Sequence, residues 1–373
     1  MNYKTPIEVR IISGILFMSL LAFPAFMQQQ SNKPVEKFDD VAAKSYAMEL
    51  FGFYLDDISD EIGIEFIHES PQLDPQLDHI LPTIASMGAA VSVADFNNDG
   101  WNDFYLTTSK YGSQNALYKN LGDGTFDEVA ESLGVGNVNI EGTGVSMGSV
   151  WADFNNDGFE DLFLYKWGKP MLFQNNGGIS FSDVSQRANL PLWINSNSAI
   201  WFDYDNDGFA DLLLSGYYRE TIDLWHLENT QIMPESFEYA NNGGRNFLFR
   251  NNGDGTFTDV AQRLGMTSTR WTLALGANDF NNDGYQDVYV ANDYTVDELF
   301  INIGGKEFRE IGKDATIGYA PKSGMNVSIA DISNDGRFCV YVSNITEMGI
   351  LLQGNNLWEP KIEKGKIDFV NKA

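Results

Sequence analysis

Over residues 60–373 the apolar positions fall in short runs, many alternating with polar ones, and Asp-Gly, Asn-Gly and Gly-Gly pairs separate the runs. Short alternating runs bounded by such turns predict consecutive antiparallel hairpins. Helical periodicity is confined to the N-terminal segment and residues 41–50. The segment 60–68 reads as a lone outer strand that completes the last unit, and residues 217–242 as a long loop inserted on one face.

The pattern repeats, and the repeat decides the fold class. One block is an apolar run, then Asp-x-Asn-x-Asp-Gly-x-x-Asp, then a second apolar run. Its first three copies carry Asp95, Asn97, Asp99 and Asp103; Asp153, Asn155, Asp157 and Asp161; and Asp203, Asp205, Asp207 and Asp211. A fourth carries Asp279, Asn281, Asp283 and Asp287, and the fifth has Asp331, Ser333 and Asp335 but ends on Cys339. The first aspartates stand at 95, 153, 203, 279 and 331, a period near 50 residues with one longer gap. Between these loops lies a second block, running from Asn115 to Asn120 and on to Val129, with further copies ending at Asn175, Asn251 and Asn302. A faint fifth copy starts at Asn356. Four short strands per unit at this period match a propeller blade, and a blade buries both faces only when stacked against neighbours. The predicted fold is all-β, a β-propeller of four-stranded blades, five of them visible and part of a larger ring. It occupies 60–373, after a linker over 34–59 and a signal peptide or N-terminal anchor over 1–33.

The N-terminal reading comes from Lys4 and Arg10 flanking an apolar run over residues 11–26 and a polar stretch over 28–33. That run is shorter than the ~20 residues of a membrane span and fits a secretory h-region. Secretion or attachment to the cell envelope is therefore expected, with an uncleaved anchor as the alternative and the only expected membrane contact.

Charge adds a constraint. The chain has 52 Asp plus Glu against 24 Lys plus Arg, a net −28, yet is 43% hydrophobic and 13% aromatic. An acidic disordered chain would be poor in apolar residues, so this one folds while carrying many carboxylates. Its sign excludes nucleic-acid binding by counterion release. The single Cys339 excludes an internal disulfide or a zinc knuckle.

The loops give the carboxylates a use. Positions 1, 3, 5 and 9 of each carry oxygen side chains and position 6 is Gly, the donor set and sharp turn that calcium loops employ. Position 12, where an EF-hand places its bidentate Glu, is Leu106, Leu164, Leu214 or Val290, so a strand–loop–strand site is expected instead. The backbone carbonyls at position 7 (Trp101, Phe159, Phe209 and Tyr285) are the expected further ligands. Loops 1, 2 and 4 each hold three Asp at these positions and loop 3 holds four; such clusters repel unless a cation balances them. About four Ca2+ sites are expected, with the fifth loop (Asp331, Ser333, Asp335) weak or empty.

These residues resemble the FG-GAP or VCBS repeats of integrin α-subunit propellers. Residues 291–294 (Ala-Asn-Asp-Tyr), 299–302, 325–331 and 63–68 are similar to the secreted family of cartilage acidic protein and bacterial UnbV-type proteins. The resemblance covers roughly residues 60–373 and implies a seven-bladed calcium-binding propeller followed by a small C-terminal domain. On it, the chain reads as an N-terminal piece of a longer product.

Enzymatic readings are weaker. Gly144-Val-Ser146-Met-Gly148 has the spacing of a nucleophile elbow, which needs a strand-to-helix turn; here the stretch leads straight into Asp153, as a repeat strand does. His68, His79 and His226 stand in unrelated contexts. Carboxylates paired across blades could serve a polysaccharide hydrolase or lyase, the alternative function. Tyr111, Trp167, Tyr217, Tyr218, Trp225 and Tyr294 fall outside the repeated core positions and are either contact surfaces for a sugar or protein, or core. The expected function is a calcium-binding adhesion or interaction module with an extracellular protein or polysaccharide as partner.

Overall fold

The computed structural model describes residues 40–80, 87–190, 193–318, 320–347, 351–363 and 366–373. The segment 1–33 read as signal or anchor lies outside them, and among the described residues no helix is long and apolar enough to cross a membrane. The chain divides into two compact units at Ile58/Ser59. In the first, helix α1 (Asp40–Phe51) covers the one helical stretch predicted after the N-terminal segment.

The second unit is built from five sheets of consecutive antiparallel strands. Blade 1 is β1 (Ala90–Ala94), β2 (Asp103–Thr107), β3 (Ala116–Asn120) and β4 (Phe126–Glu128). Blade 2 is β5 (Gly144–Ala152), β6 (Asp161–Gly168), β7 (Met171–Asn175) and β8 (Phe181–Asp183), with β9 (Ile194–Asn195) added beside β6. Blade 3 is β10 (Ala199–Phe202), β11 (Asp211–Leu214), β12 (Phe247–Asn251) and β13 (Phe257–Asp259). Blade 4 is β14 (Thr272–Asn278), β15 (Asp287–Asn292), β16 (Glu298–Asn302) and β17 (Phe308–Glu310). The hairpin β20 (Thr346–Glu347) and β21 (Leu351–Leu352) interrupts blade 5, which is β18 (Gly324–Ala330), β19 (Cys339–Asn344), β22 (Asn356–Glu363) and β23 (Lys366–Asn371). The first strands are neighbours in the order β1, β5, β10, β14, β18, so the sheets stack side by side around a common axis, as propeller blades do. The seven blades implied by the resemblance are five among the described residues.

Apolar layers between adjacent sheets hold the stack. Between blades 2 and 3 sit Phe154, Phe163, Leu172, Leu212, Phe247 and Phe257, all buried; equivalent clusters separate the other neighbouring pairs. On β1, Val91 and Val93 are 62% and 58% exposed, where blade 2 has buried Ser149 and half-buried Trp151. Segment 60–68 forms no ladder. It opens with a 3-10 turn (Asp60–Ile62) and then follows blade 1, with Glu65 N donating to Tyr118 Oη (3.1 Å) and Glu69 N to Thr108 Oγ1 (2.9 Å). The lone outer strand expected to complete the last blade is thus a strap on the first.

Side-chain amides clasp the blades. Asn175, the last residue of β7, donates from Nδ2 to Phe96 O of blade 1 at 2.7 Å. Asn251 does the same to Phe154 O (2.7 Å) and Asn302 to Tyr204 O (2.8 Å). Each of these amides also donates to its own blade, to Glu160 O, Ala210 O and Gln286 O. Asn251 is 1% exposed and its Oδ1 accepts from Gly253 N (3.0 Å). Asn251→Ala leaves two carbonyls and one N–H without their partner, at a cost of about 3 kcal/mol. Urea unfolding should show that loss without a change of slope; an unchanged midpoint would contradict the clasp.

Candidate metal centres

The five Asp-rich loops are the turns joining the first two strands of each blade, so antiparallel pairing puts them all on one face. Each loop is shaped by its own carboxylates. In loop 1, Asp99 N and Gly100 N donate to the two oxygens of Asp95 (3.0 and 2.8 Å), and Trp101 N to Asp99 Oδ1 (3.0 Å). The same three bonds recur in loop 2 on Asp153 and Asp157, in loop 3 on Asp203 and Asp207, and in loop 4 on Asp279 and Asp283. They recur in loop 5 on Asp331 and Asp335.

Position 4 is Asn in every copy with φ between 52° and 59°, the left-handed region that Asn tolerates better than most residues. Its amide reaches the next loop: Asn98 Nδ2 donates to Gly158 O (2.7 Å), Asn156 to Gly208 O (3.1 Å) and Asn206 to Gly284 O (2.9 Å). The sequence reading assigned no role to this residue, although its presence in all five copies was visible. Neighbouring hairpins press close from the other side. A Cβ on Gly178 (φ +74°) would lie 2.8 Å from Asn97 Cα, and one on Gly305 (φ +71°) 2.9 Å from Asp205 Cα. Glycine is what permits that approach.

Position 9 is the buried end of the site. Asp161 accepts from Phe154 N (3.2 Å) and Asn175 N (2.7 Å). Asp211 accepts from Tyr204 N and Asn251 N (3.1 and 2.8 Å), and Asp287 from Phe280 N and Asn302 N (3.0 and 2.9 Å). Asp103 accepts from Phe96 N and Asn120 N (3.2 and 2.8 Å). Burial pushes the Asp103 carboxyl up to about 6 and those of Asp161, Asp211 and Asp287 up to about 7, with the other loop aspartates adding to the rise against these hydrogen bonds.

Loop 3 has the donor set of a hard-cation site. In loop 3, carboxylate oxygens of Asp203, Asp205 and Asp211 lie within 4.8 Å of one another. The position-3 oxygens Asp205 Oδ1 and Asn281 Oδ1 are buried without a hydrogen-bond partner, an arrangement costly unless a ligand satisfies them. In loops 1 and 2 the corresponding Asn97 and Asn155 oxygens accept from Asp99 N (3.2 Å) and Asp157 N (2.9 Å). Loop 5 differs. Cys339 is buried at position 9, and Arg337 pairs with Asp335 Oδ2 through Nε (3.0 Å) and Nη2 (2.5 Å). The strand register places Pro360 where the other blades have the clasping Asn. Proline has no N–H to offer a position-9 carboxylate, so both halves of that bond are replaced together.

The remaining sequence candidates lie elsewhere. Ser146 is fully buried on β5, its Oγ 3.0 Å from Asn139 Oδ1 and accepting from Asn115 Nδ2, so it stands in a strand and not in an elbow. Trp167 is core, its Nε1 donating to Asn197 Oδ1 (2.8 Å). Tyr217, Tyr218, Tyr111, Trp225 and Tyr294 pack with it in one cluster. That cluster includes Leu224, Ile232 and Ala240 of the long β11–β12 connection, on the face opposite the Asp-rich loops. His226 is 83% exposed beside Asp223.

Cartilage acidic protein 1 of Xenopus tropicalis is 33% identical over 109 residues, 28% of this chain and 16% of that relative's length. The Homo sapiens protein of the same name is 31% identical over 102 residues, 26% of this chain and 14% of its own length. The chain therefore spans only a small part of these relatives. Among solved structures, an Agrocybe aegerita lectin recognising non-reducing terminal N-acetylglucosamine is 17% identical with a TM-score of 0.43, over 77% of this chain and 66% of that one. The V. cholerae biofilm matrix protein Bap1 is 13% identical with a TM-score of 0.40, over 73% and 37%. The FG-GAP-like repeat model matches residues 95–164, 153–214, 239–290 and 279–342, together more than half of the chain, each match beginning at or before an Asp-rich loop. By its repeats, their loops and its stacked sheets, the chain belongs to the FG-GAP-like repeat family.

Proposed function

We propose that this propeller is a calcium-binding interaction module of the extracellular space or cell envelope, with one ion in each of loops 1 to 4. The observation that carries the reading is the convergence of Asp203, Asp205 and Asp211 within 4.8 Å, together with an unpartnered buried oxygen, Oδ1, on Asp205. Repetition of the loop architecture extends it to the other three. Position 1 would ligate while its oxygens fix the turn, position 3 would supply its side-chain oxygen, and position 9 would close the shell from the buried side, with the position-7 carbonyl beside it. An oxygen-rich cage with this many protein ligands suits calcium better than magnesium, which retains waters and demands a compact octahedron. When bound, the ion supplies charge compensation for three or four carboxylates.

The chain's own residues carry that compensation outward. Position 9 ties the loop to the third strand of its blade, and position 4 ties it to the next loop. An ion would thus pin the blade hairpin and its neighbour. At a hundred times its dissociation constant, each ion adds about 2.7 kcal/mol to folding. An interaction role is supported by the opposite face, where Met233, Phe237 and Tyr239 of the long connection are 44%, 39% and 75% exposed. Surface apolar groups clustered on one loop mark contact sites for a protein or polysaccharide. The extracellular setting is supported by the similarity to relatives named for cartilage.

Thermal unfolding of the chain in EDTA, then in calcium or magnesium, should give a large rise in midpoint with calcium and a small one with magnesium. No shift in a folded protein would remove the metal reading. The pH dependence has a defined sign. Asp161, Asp211 and Asp287 have folded values of about 7 against an ordinary 3.8. The folded protein therefore holds more protons than the unfolded chain between those values, and that stabilisation is lost as pH rises through 7. In EDTA the midpoint should fall from pH 5 to pH 8. In calcium, which holds the carboxylates ionised, the fall should disappear; an equal fall in both would contradict ligation by position 9.

A further inference from the structure

The loops differ in one respect that their shared motif conceals. Position 3 is Asn97, Asn155 and Asn281 in loops 1, 2 and 4 but Asp205 in loop 3, which therefore holds a fourth carboxylate. The residue before the clasping Asn also varies: Lys119, Gln174, Arg250 and Ile301 in blades 1 to 4. The basic ones turn toward their own loop. Arg250 Nε lies 2.9 Å from Asp205 Oδ2 and its Nη2 2.9 Å from Asp207 Oδ2. Lys119 Nζ stands 3.7 Å from Asp99 Oδ2 alone. In blade 2, Gln174 is engaged by Arg187 (2.9 Å).

The guanidinium fork holds one oxygen from each of two carboxylates, a geometry that a lysine cannot reproduce. It leaves Asp205 Oδ1, the other oxygen of the same carboxylate, buried and unpartnered, and a carboxylate oxygen of Asp205 lies within 4.8 Å of oxygens of Asp203 and Asp211. Counting the side chains, loop 3 carries four Asp and one Arg, a net −3, which is the charge that loop 4 reaches with three Asp. Arg250 is thus matched to the extra carboxylate and lies beside the position a cation would take.

We infer that Arg250 is a resident counter-cation that sets the calcium affinity of loop 3, offsetting Asp205 so that this loop fills in the same range as loop 4. The inference deepens the calcium reading above and depends on it. Its cost is repulsion between a guanidinium and the bound ion; its benefit is a loop that keeps its shape without metal, because Asp205 and Asp207 do not face each other bare. Removing the positive charge should tighten binding, since the emptied loop is then more repulsive and the filled loop loses a repulsion.

The test is calorimetric calcium titration of the full chain and of four variants at low salt. Arg250→Gln should tighten one of the four binding steps roughly tenfold, and Asp205→Asn should weaken one step by about the same factor. The double variant Arg250→Gln/Asp205→Asn matches blade 2 at these two positions (Asn155 and Gln174) and should return to within about threefold of the parent. Arg250→Lys, which keeps the charge and loses the fork, should stay near the parent. Should Arg250→Gln fold poorly in EDTA, the double variant, free of the extra carboxylate, still reports the offset. Calcium binding by the parent with no tightening in Arg250→Gln, or a double variant weaker than Asp205→Asn, would overturn the inference alone. No calcium binding by the parent would overturn the calcium reading and this inference with it.

Discussion

In blades 1 to 4 the carboxylate at the ninth loop position is the interaction that ties the loop into its sheet. It is buried at the junction of three elements: the loop's second residue, the start of the second strand and the end of the third. Its two oxygens accept one backbone N–H from each side, as Asp211 does from Tyr204 and Asn251. Those bonds set where Asn251 sits, and Asn251 in turn clasps the preceding blade at Phe154 O. One side chain therefore links the site to the sheet and, through a single further residue, the sheet to its neighbour. The cost is a buried carboxyl group, pushed up to about 7 by that burial, which a cation in the proposed site would offset.

Blade 5 shows what happens when that constraint is dropped. Cys339 replaces the carboxylate, Pro360 replaces the residue that would donate to it, and Arg337 rather than an oxygen cage faces Asp335. The hairpin of that blade is longer, and the sheet is still made. The strand pattern alone is thus enough for a blade, whereas the loop–strand tie is an addition carried by blades 1 to 4. The two faces divide accordingly. Acidic loops latched into a row by Asn98, Asn156 and Asn206 occupy one. The other carries the long connection and its aromatic cluster, where no repeated motif constrains the sequence.

Much of this was legible in the residues because a repeat states its own period. The five loops announced the blade count among the described residues, and the alternating runs announced four strands in each. Less local features were not legible. Segment 60–68 has the alternation of a strand, yet Glu65 N donates to the Tyr118 hydroxyl, Ile62 N and Ile64 N donate to Ser59 O, and none joins a ladder. Tyr217, Tyr218 and Trp225 read in sequence as either contact surface or core, because the packing that decides between the two comes from residues of several blades. The position-4 Asn was conspicuous as a repeated letter, but its role needs the spacing between adjacent blades, which one blade's sequence does not contain. The same holds for Arg250, which meets Asp205 across 45 residues of chain.

Four of the five loops are proposed as cation sites of one design. Native mass spectrometry of the chain, stripped with EDTA and then exposed to calcium, counts the ions directly. The account predicts a folded species that gains four calcium ions, and three when Asp279 is replaced by Asn. A folded chain that gains none would contradict it, and so would a count that does not change with Asp279.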